Sequence, residues 1–84
     1  MKTQSLHSLP PGAEGIVYRL DAEGSIRRRL LDMGLTEGSR VRCLLESPGS
    51  NMRAYLICGA LVSIRKTDAE KILVFLPDDG EGLI

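Results

Sequence analysis

The sequence predicts a small all-β barrel of about five strands, with one short α-helix after the first strand. Apolar runs with period-two alternation recur along the chain, and clusters of Gly, Pro, Ser and Asn separate them. Runs this short cannot bury two faces as a flat sheet, whereas closure into a barrel removes exposed edges. The SH3-like barrel and the OB barrel are the two architectures that fit. The predicted strands are residues 15–20, 40–46, 52–57, 60–65 and 72–76.

One short helix is predicted between Ser25, a suitable N-cap, and Gly34. Three apolar residues recur at i, i+4 and i+7 and form one face of this helix: Ile26, Leu30 and Met33. Gly34 suits the left-handed position that ends a helix, and Leu35 is expected to fold back onto Leu30 or Leu31. Two helical turns are unstable alone, so the helix must pack against the barrel.

The remaining segments are predicted from composition and alternation. Residues 5–13 contain a Pro-Pro-Gly sequence and are predicted to form a loop. Residues 47–51 are typical of a hairpin turn, and residues 66–71 are predicted to form one helical turn. In the second strand, three alternate residues share the face expected to point into the core: Val41, Cys43 and Leu45.

Length favours one domain, residues 1–77, followed by an acidic tail, residues 78–84, expected to be flexible. Two cysteines do not make a disulfide framework, so the expected location is the cytoplasm. Eleven basic and eleven acidic side chains balance, and only three aromatic residues are present. A nucleic-acid binder needs a basic surface and stacking aromatics, so this class is disfavoured. The sequence shows neither a signal peptide nor a run of about 20 apolar residues, so any membrane role is expected through a partner.

Four stretches of the sequence resemble the FeoA family, ferrous iron transport protein A. In chain order they are the helix with its glycine and leucine, the start of the next strand, a returning strand that ends in Arg, and a closing segment. The helix with its glycine and leucine is the most specific match. Together with Gly12 and Gly15, the resemblance covers about residues 5–76. The four stretches are residues 28–35, 38–41, 59–65 and 69–74.

This resemblance implies an SH3-like barrel that acts beside FeoB, the membrane protein with a cytosolic GTPase domain that imports ferrous iron. It also implies an accessory or regulatory role, with no catalytic residue and no cofactor. The partner expected from the resemblance is therefore a FeoB-type transporter, contacted at its cytosolic face.

Two hypotheses account for the three consecutive arginines of the helix, Arg27, Arg28 and Arg29. Successive helical residues point about 100° apart, so the three cannot face one ligand. They are either a solvated face paired with a nearby acid, Asp32, Glu23 or Asp21, or a docking surface for an acidic patch.

Two hypotheses also apply to the apolar residues on either side of Gly34. Met33 and Leu35 either pack in the core or stay exposed as apolar anchors beside the arginines. The docking hypothesis also includes the arginine that ends the returning strand. Its partner-binding residues are Arg28, Arg29, Met33, Leu35 and Arg65.

An alternative function is a metal sensor or metal-delivery protein that binds Fe or Zn. Its candidate ligands are Cys43, Cys58 and His7. Structural zinc sites usually have four ligands with paired Cys spacings, which these residues lack. Free cysteines are often small buried hydrophobes, and both are expected to be buried, with no metal site. No Ser or Cys nucleophile has a base nearby in the sequence, so the chain is not expected to be an enzyme.

Overall fold

The computed structural model of the chain describes residues 2–46 and 51–77. Most of the turn expected at residues 47–51 and the whole of the tail at residues 78–84 lie outside this range. Nine short elements follow one another along the described chain. They are β1 (Thr3–Ser5), a 3-10 turn (Leu6–Ser8), β2 (Glu14–Leu20), α1 (Gly24–Asp32), β3 (Arg40–Glu46), β4 (Met52–Ile57), β5 (Ala60–Arg65), α2 (Lys66–Ala69) and β6 (Ile72–Phe75).

The six strands form one antiparallel sheet in the order β1-β6-β2-β3-β4-β5. Its outer strands are β1 and β5. The turn α2 lies against β5 and against the 3-10 turn, and the 3-10 turn lies against β6. These short helical segments connect the two ends of the curled sheet, which confirms the predicted small β-barrel with one short helix after the first long strand.

The sixth strand, β1, is the main difference from the sequence prediction. Thr3, Gln4 and Ser5 pair with β6, with Gln4 opposite Val74. The loop expected from residue 5 onward instead begins with a 3-10 turn, and its residues Leu6 and Leu9 are fully buried. Three residues are too few to show a period, so this strand exists only because β6 is there to pair with it.

Helix α1 ends in a Schellman motif. Gly34 has φ of +100°, its N–H donates to the Leu31 carbonyl at 3.0 Å, and the Leu35 N–H donates to the Leu30 carbonyl at 3.2 Å. Leu30 and Leu35 are both fully buried, as the predicted fold-back of Leu35 requires. The prediction of Ser25 as N-cap is wrong, because Glu23 holds that position with an extended backbone and no side-chain cap.

A bulge in β3 changes which side of the sheet its residues face. Val41 pairs with Ile57 and Cys43 with Tyr55, and all four are buried. The register then shifts between Cys43 and Leu45. Leu45 is 68% exposed as a result, so its predicted place on the core face is wrong, since an extra residue reverses the alternation beyond it.

The core is aliphatic, with one tyrosine, Tyr55, at its centre. Arg53 joins this core to the N-terminal segment, because its guanidinium donates to the carbonyls of His7 at 2.6 Å and Leu9 at 2.8 Å. Most strands contribute to the fully or almost fully buried set. Its members are Leu6, Leu9, Val17, Leu20, Leu30, Leu35, Val41, Cys43, Tyr55, Ile57, Ile64, Ala69, Ile72 and Val74.

The hairpin between β4 and β5 has a two-residue turn, Cys58 and Gly59. Their φ values are +51° and +85°, and the flanking Ile57 and Ala60 are paired. Two positive φ values define a type I′ turn, which fits the right-handed twist of the strands and favours Asn-Gly. Cys58 is the one residue other than glycine with positive φ among those described.

Replacement of Cys58 by Asn is expected to stabilise the domain by about 0.5–1 kcal/mol, since Asn tolerates the left-handed region better than Cys. Cys58→Val is the control, because a β-branched residue is disfavoured at positive φ and should be destabilising. Urea unfolding of the three proteins measures the difference. Equal stabilities for Asn and Val would show that this turn does not hold its left-handed conformation.

Candidate partner-binding surface

The three arginines of α1 have three different surroundings. The Arg27 guanidinium donates to the carbonyl of Leu20 at 3.3 Å, and the Arg29 guanidinium binds the Asp68 carboxylate at 2.7 Å. Within the described part of the chain, the side chain of Arg28 makes neither a hydrogen bond nor an ion pair. Arg28 is thus an exposed cation that the fold leaves available.

The Arg29–Asp68 ion pair joins α1 to α2. Asp68 is 7% exposed, while the Arg29 side chain is about half exposed. The nearby acids Asp32 and Glu23, expected as partners of the arginines, take no part in the ion pairs of the described residues, so this detail of the prediction is wrong. The reason is geometric: the fold places a buried carboxylate from a distant turn beside the helix.

Arg65 lies at the junction of β5 and α2. It is the residue before α2, is exposed, and stands opposite Met52 on β4. Because α2 begins immediately after Arg65 and its Asp68 binds Arg29, the ion pair connects the turn that follows Arg65 with α1. The structure thus links the predicted residues of α1 with Arg65 through α2.

The two apolar candidates beside Gly34 have different positions. Leu35 is fully buried, so it cannot contact a partner in this fold, and its place among the partner-binding residues is wrong. Met33 is half-buried and packs against the core. Leu31, 36% exposed, is an apolar surface residue of α1 that the predicted partner-binding set does not include. Its position three residues after Arg28 was the available signal, since such residues share a helix face.

The two cysteines differ in environment, contrary to the expectation that both are buried. Cys43 lies in the core, whereas Cys58 is exposed in the hairpin turn with its sulfur 4.0 Å from the Gly34 carbonyl oxygen. The other proposed ligand, His7, is half-buried. Across residues 2–46 and 51–77, His, Cys, Asp and Glu side chains do not form a group of three or more that could hold a metal ion.

Neither helix within the described residues has the length and apolar character needed to cross a bilayer.

Comparison with known families identifies the chain. The family model of the FeoA domain matches residues 4–75, which include both helices and all six strands except Thr3, the first residue of β1. The chain belongs to the FeoA family. The predicted resemblance is therefore confirmed over almost the same residues on which it was based.

Relatives of known structure support the fold. The solution structure of the FeoA protein from Chlorobium tepidum has a TM-score of 0.82 at 32% identity, over 92% of this chain and 75% of that one. The zinc-complexed FeoA of Stenotrophomonas maltophilia, a prokaryotic SH3 domain protein, has a TM-score of 0.74 at 24% identity, over 84% of this chain and 88% of that one. Of the two architectures that the sequence left open, the SH3-like barrel is therefore the correct one.

A further relative places this domain within a much larger protein. The Fe(2+) transport protein A/Fe(2+) transporter FeoB fusion protein of Porphyromonas gingivalis is 32% identical over 76 residues, 90% of this chain. The chain spans 9% of that relative's length. In that protein a FeoA domain and a FeoB transporter are therefore parts of one polypeptide.

The Arg29–Asp68 pair is expected to stabilise the fold by about 1 kcal/mol, because the carboxylate is buried and the guanidinium is half exposed. A double-mutant cycle with Arg29→Met and Asp68→Asn, followed by urea unfolding, measures this coupling. Arg28→Met is the matched control on the same helix and should change the free energy of unfolding by less than about 0.5 kcal/mol. No coupling between residues 29 and 68 would mean that the pair is absent in solution.

Proposed function

We propose that this member of the FeoA family binds the cytosolic region of a FeoB-type transporter and regulates ferrous iron uptake from there. The observation that carries the proposal is the relative in which a FeoA domain and the transporter share one polypeptide. Fusion keeps two domains at a high effective concentration, which is useful when the separate proteins must associate. The proposed site of action is the cytoplasmic side of the membrane, reached through the partner.

We propose that the contact is made by exposed residues of α1 and by Arg65. Arg28 and Leu31 are exposed and lie on one helix face, whereas Met33 is half-buried and packs against the core. Arginines around an apolar residue are typical of protein interfaces, where they form bidentate pairs with carboxylates. Arg29 contributes mainly by holding α1 against α2, since its guanidinium already binds Asp68. The partner surface is therefore expected to be acidic with an apolar centre.

The proposed role is that of an accessory binding module. The FeoA family consists of small domains associated with ferrous iron transport, and this chain matches the family model over nearly all its described residues. The exposed arginine surface accounts for such a role without any group acting as acid, base or nucleophile.

The Arg28→Glu substitution is expected to weaken binding to the transporter's cytosolic region by about tenfold or more, because an exposed cation would become an anion facing an acidic surface. Calorimetric titration of this protein with that region, in the presence and absence of GTP, measures the affinity. Stability should not change, since Arg28 makes no ion pair or side-chain hydrogen bond within the described chain.

Lys2→Glu is the control, because it makes the same change of charge at an exposed residue before β1. Wild-type protein that fails to bind with or without nucleotide would contradict the proposed function. Equal losses of affinity for Arg28→Glu and Lys2→Glu would leave the transporter as the partner but show that α1 does not make the contact.

A further inference from the structure

The outer face of strands β3, β4 and β5 carries an unusual share of the exposed apolar residues. Residues that pair directly across an antiparallel sheet lie on the same face. Leu56 stands opposite Leu61, and Leu45 stands opposite Ala54. Leu45 and Leu61 are each 68% exposed, and Leu56 is 37% exposed. With Met52, 39% exposed, these residues define the outer-face patch: Leu45, Met52, Ala54, Leu56 and Leu61.

The bulge in β3 creates this patch. It turns Leu45 away from the core and places it beside Ala54 instead of beneath the sheet. The opposite face of the same strands is fully packed, with Tyr55, Ile57 and Ile64 buried. The leucines of the patch therefore have no structural role in the core, and their exposure needs a different explanation.

One arginine lies at each end of the patch. Arg42 stands opposite Leu56, and Arg65 stands opposite Met52. At strand spacing, the two lie about 14 Å apart along the strands and about 10 Å apart across them. Arg42 and Arg65 make no ion pair within residues 2–46 and 51–77, whereas the neighbouring Arg40 binds Glu14 at 3.4 Å.

Each of these arginines lines a groove. The first groove has a volume of about 580 Å³, and its charged residues are Arg42, Arg40 and Glu14. The second has a volume of about 530 Å³, and its charged residues are Arg65, Lys66 and Glu70. Both grooves carry an excess of cationic side chains. The surface is thus an apolar centre between two concave, cationic ends.

We infer that this face binds an acidic amphipathic segment of the partner, with an apolar centre against the outer-face patch and a carboxylate in each groove. Arginine forms bidentate pairs with carboxylates, and such a pair buried at an interface fixes the register of the bound segment on the surface. The inference rests on the proposed function, since it identifies the segment that the transporter would present. Arg65 belongs to both surfaces, so the patch extends the contact proposed for α1 along β5.

Charge argues against a second copy of this chain as the occupant. Two copies packed face to face would bring two sets of grooves with an excess of cationic side chains into one interface, and like charges there oppose association. Shape argues against a lipid surface, because a sheet face between two grooves does not project apolar side chains into a bilayer as an interfacial helix does.

The test uses the full chain and the transporter's cytosolic region as the probe. The Leu45→Ser, Leu61→Ser double variant is expected to weaken binding at least about 30-fold, since both leucines lose the apolar area that the interface buries. Leu76→Ser is the matched control, because Leu76 is 50% exposed and lies outside the patch. The control should bind within about twofold of wild type. All variants change exposed side chains only, and thermal unfolding checks that they fold.

A second variant tests the charged ends. Arg42→Glu should weaken binding about tenfold and should reduce the dependence of the affinity on salt concentration. Arg19→Glu, an exposed arginine on β2, is its control and should change neither quantity.

The outcomes separate this inference from the proposed function. If the wild type binds and the leucine double variant binds equally well, the inference is overturned while the transporter remains the partner. If the wild type does not bind, both fail. Leucine-dependent self-association in sedimentation velocity without an effect on transporter binding would assign the patch to a second copy. Leucine-dependent binding to vesicles of phosphatidylcholine and phosphatidylglycerol, again without that effect, would assign it to lipid. Either result overturns the inference.

Discussion

The turn at Gly34 is the constraint on which the arrangement of the domain depends. Its Schellman hydrogen bonds reverse the chain so that Leu30, before the turn, and Leu35, after it, are both fully buried. The carbonyl of Gly34 then accepts a hydrogen bond from the Ser39 hydroxyl at 2.9 Å, just before β3 begins. A helix of nine residues is too short to be stable alone, so it depends on its packing against the core, in which Leu30 is fully buried.

That constraint also decides which residues can meet a partner. Since Leu30 points into the core, the other side of α1 presents Arg28 and Leu31 to solvent. The Arg29–Asp68 bond holds the helix against α2 and so relates this side to the end of β5. The proposed interface therefore follows from the way in which the helix packs against the barrel and binds α2.

The two proposed surfaces use the same chemistry at different places. On α1 an exposed leucine lies beside an arginine, and on the outer face of β3–β5 a group of leucines lies between two arginines. Both surfaces fit an acidic, partly apolar partner and meet at Arg65. Interfaces usually depend on a few well-packed residues, so the variants of Leu45, Leu61 and Arg28 identify which surface dominates.

Sequence patterns were enough to predict the five long strands, the helix that ends at Gly34 and the resemblance to the FeoA family. These features depend on local periodicity, turn chemistry and short motifs, which neighbouring residues encode. The folded structure was needed to establish the exposure of Leu45, the burial of Leu35 and the pairing of Arg29 with Asp68. A bulge in a strand, a choice between core and surface, and an ion pair across 39 residues of sequence all depend on distant parts of the chain meeting in space, which local patterns do not specify.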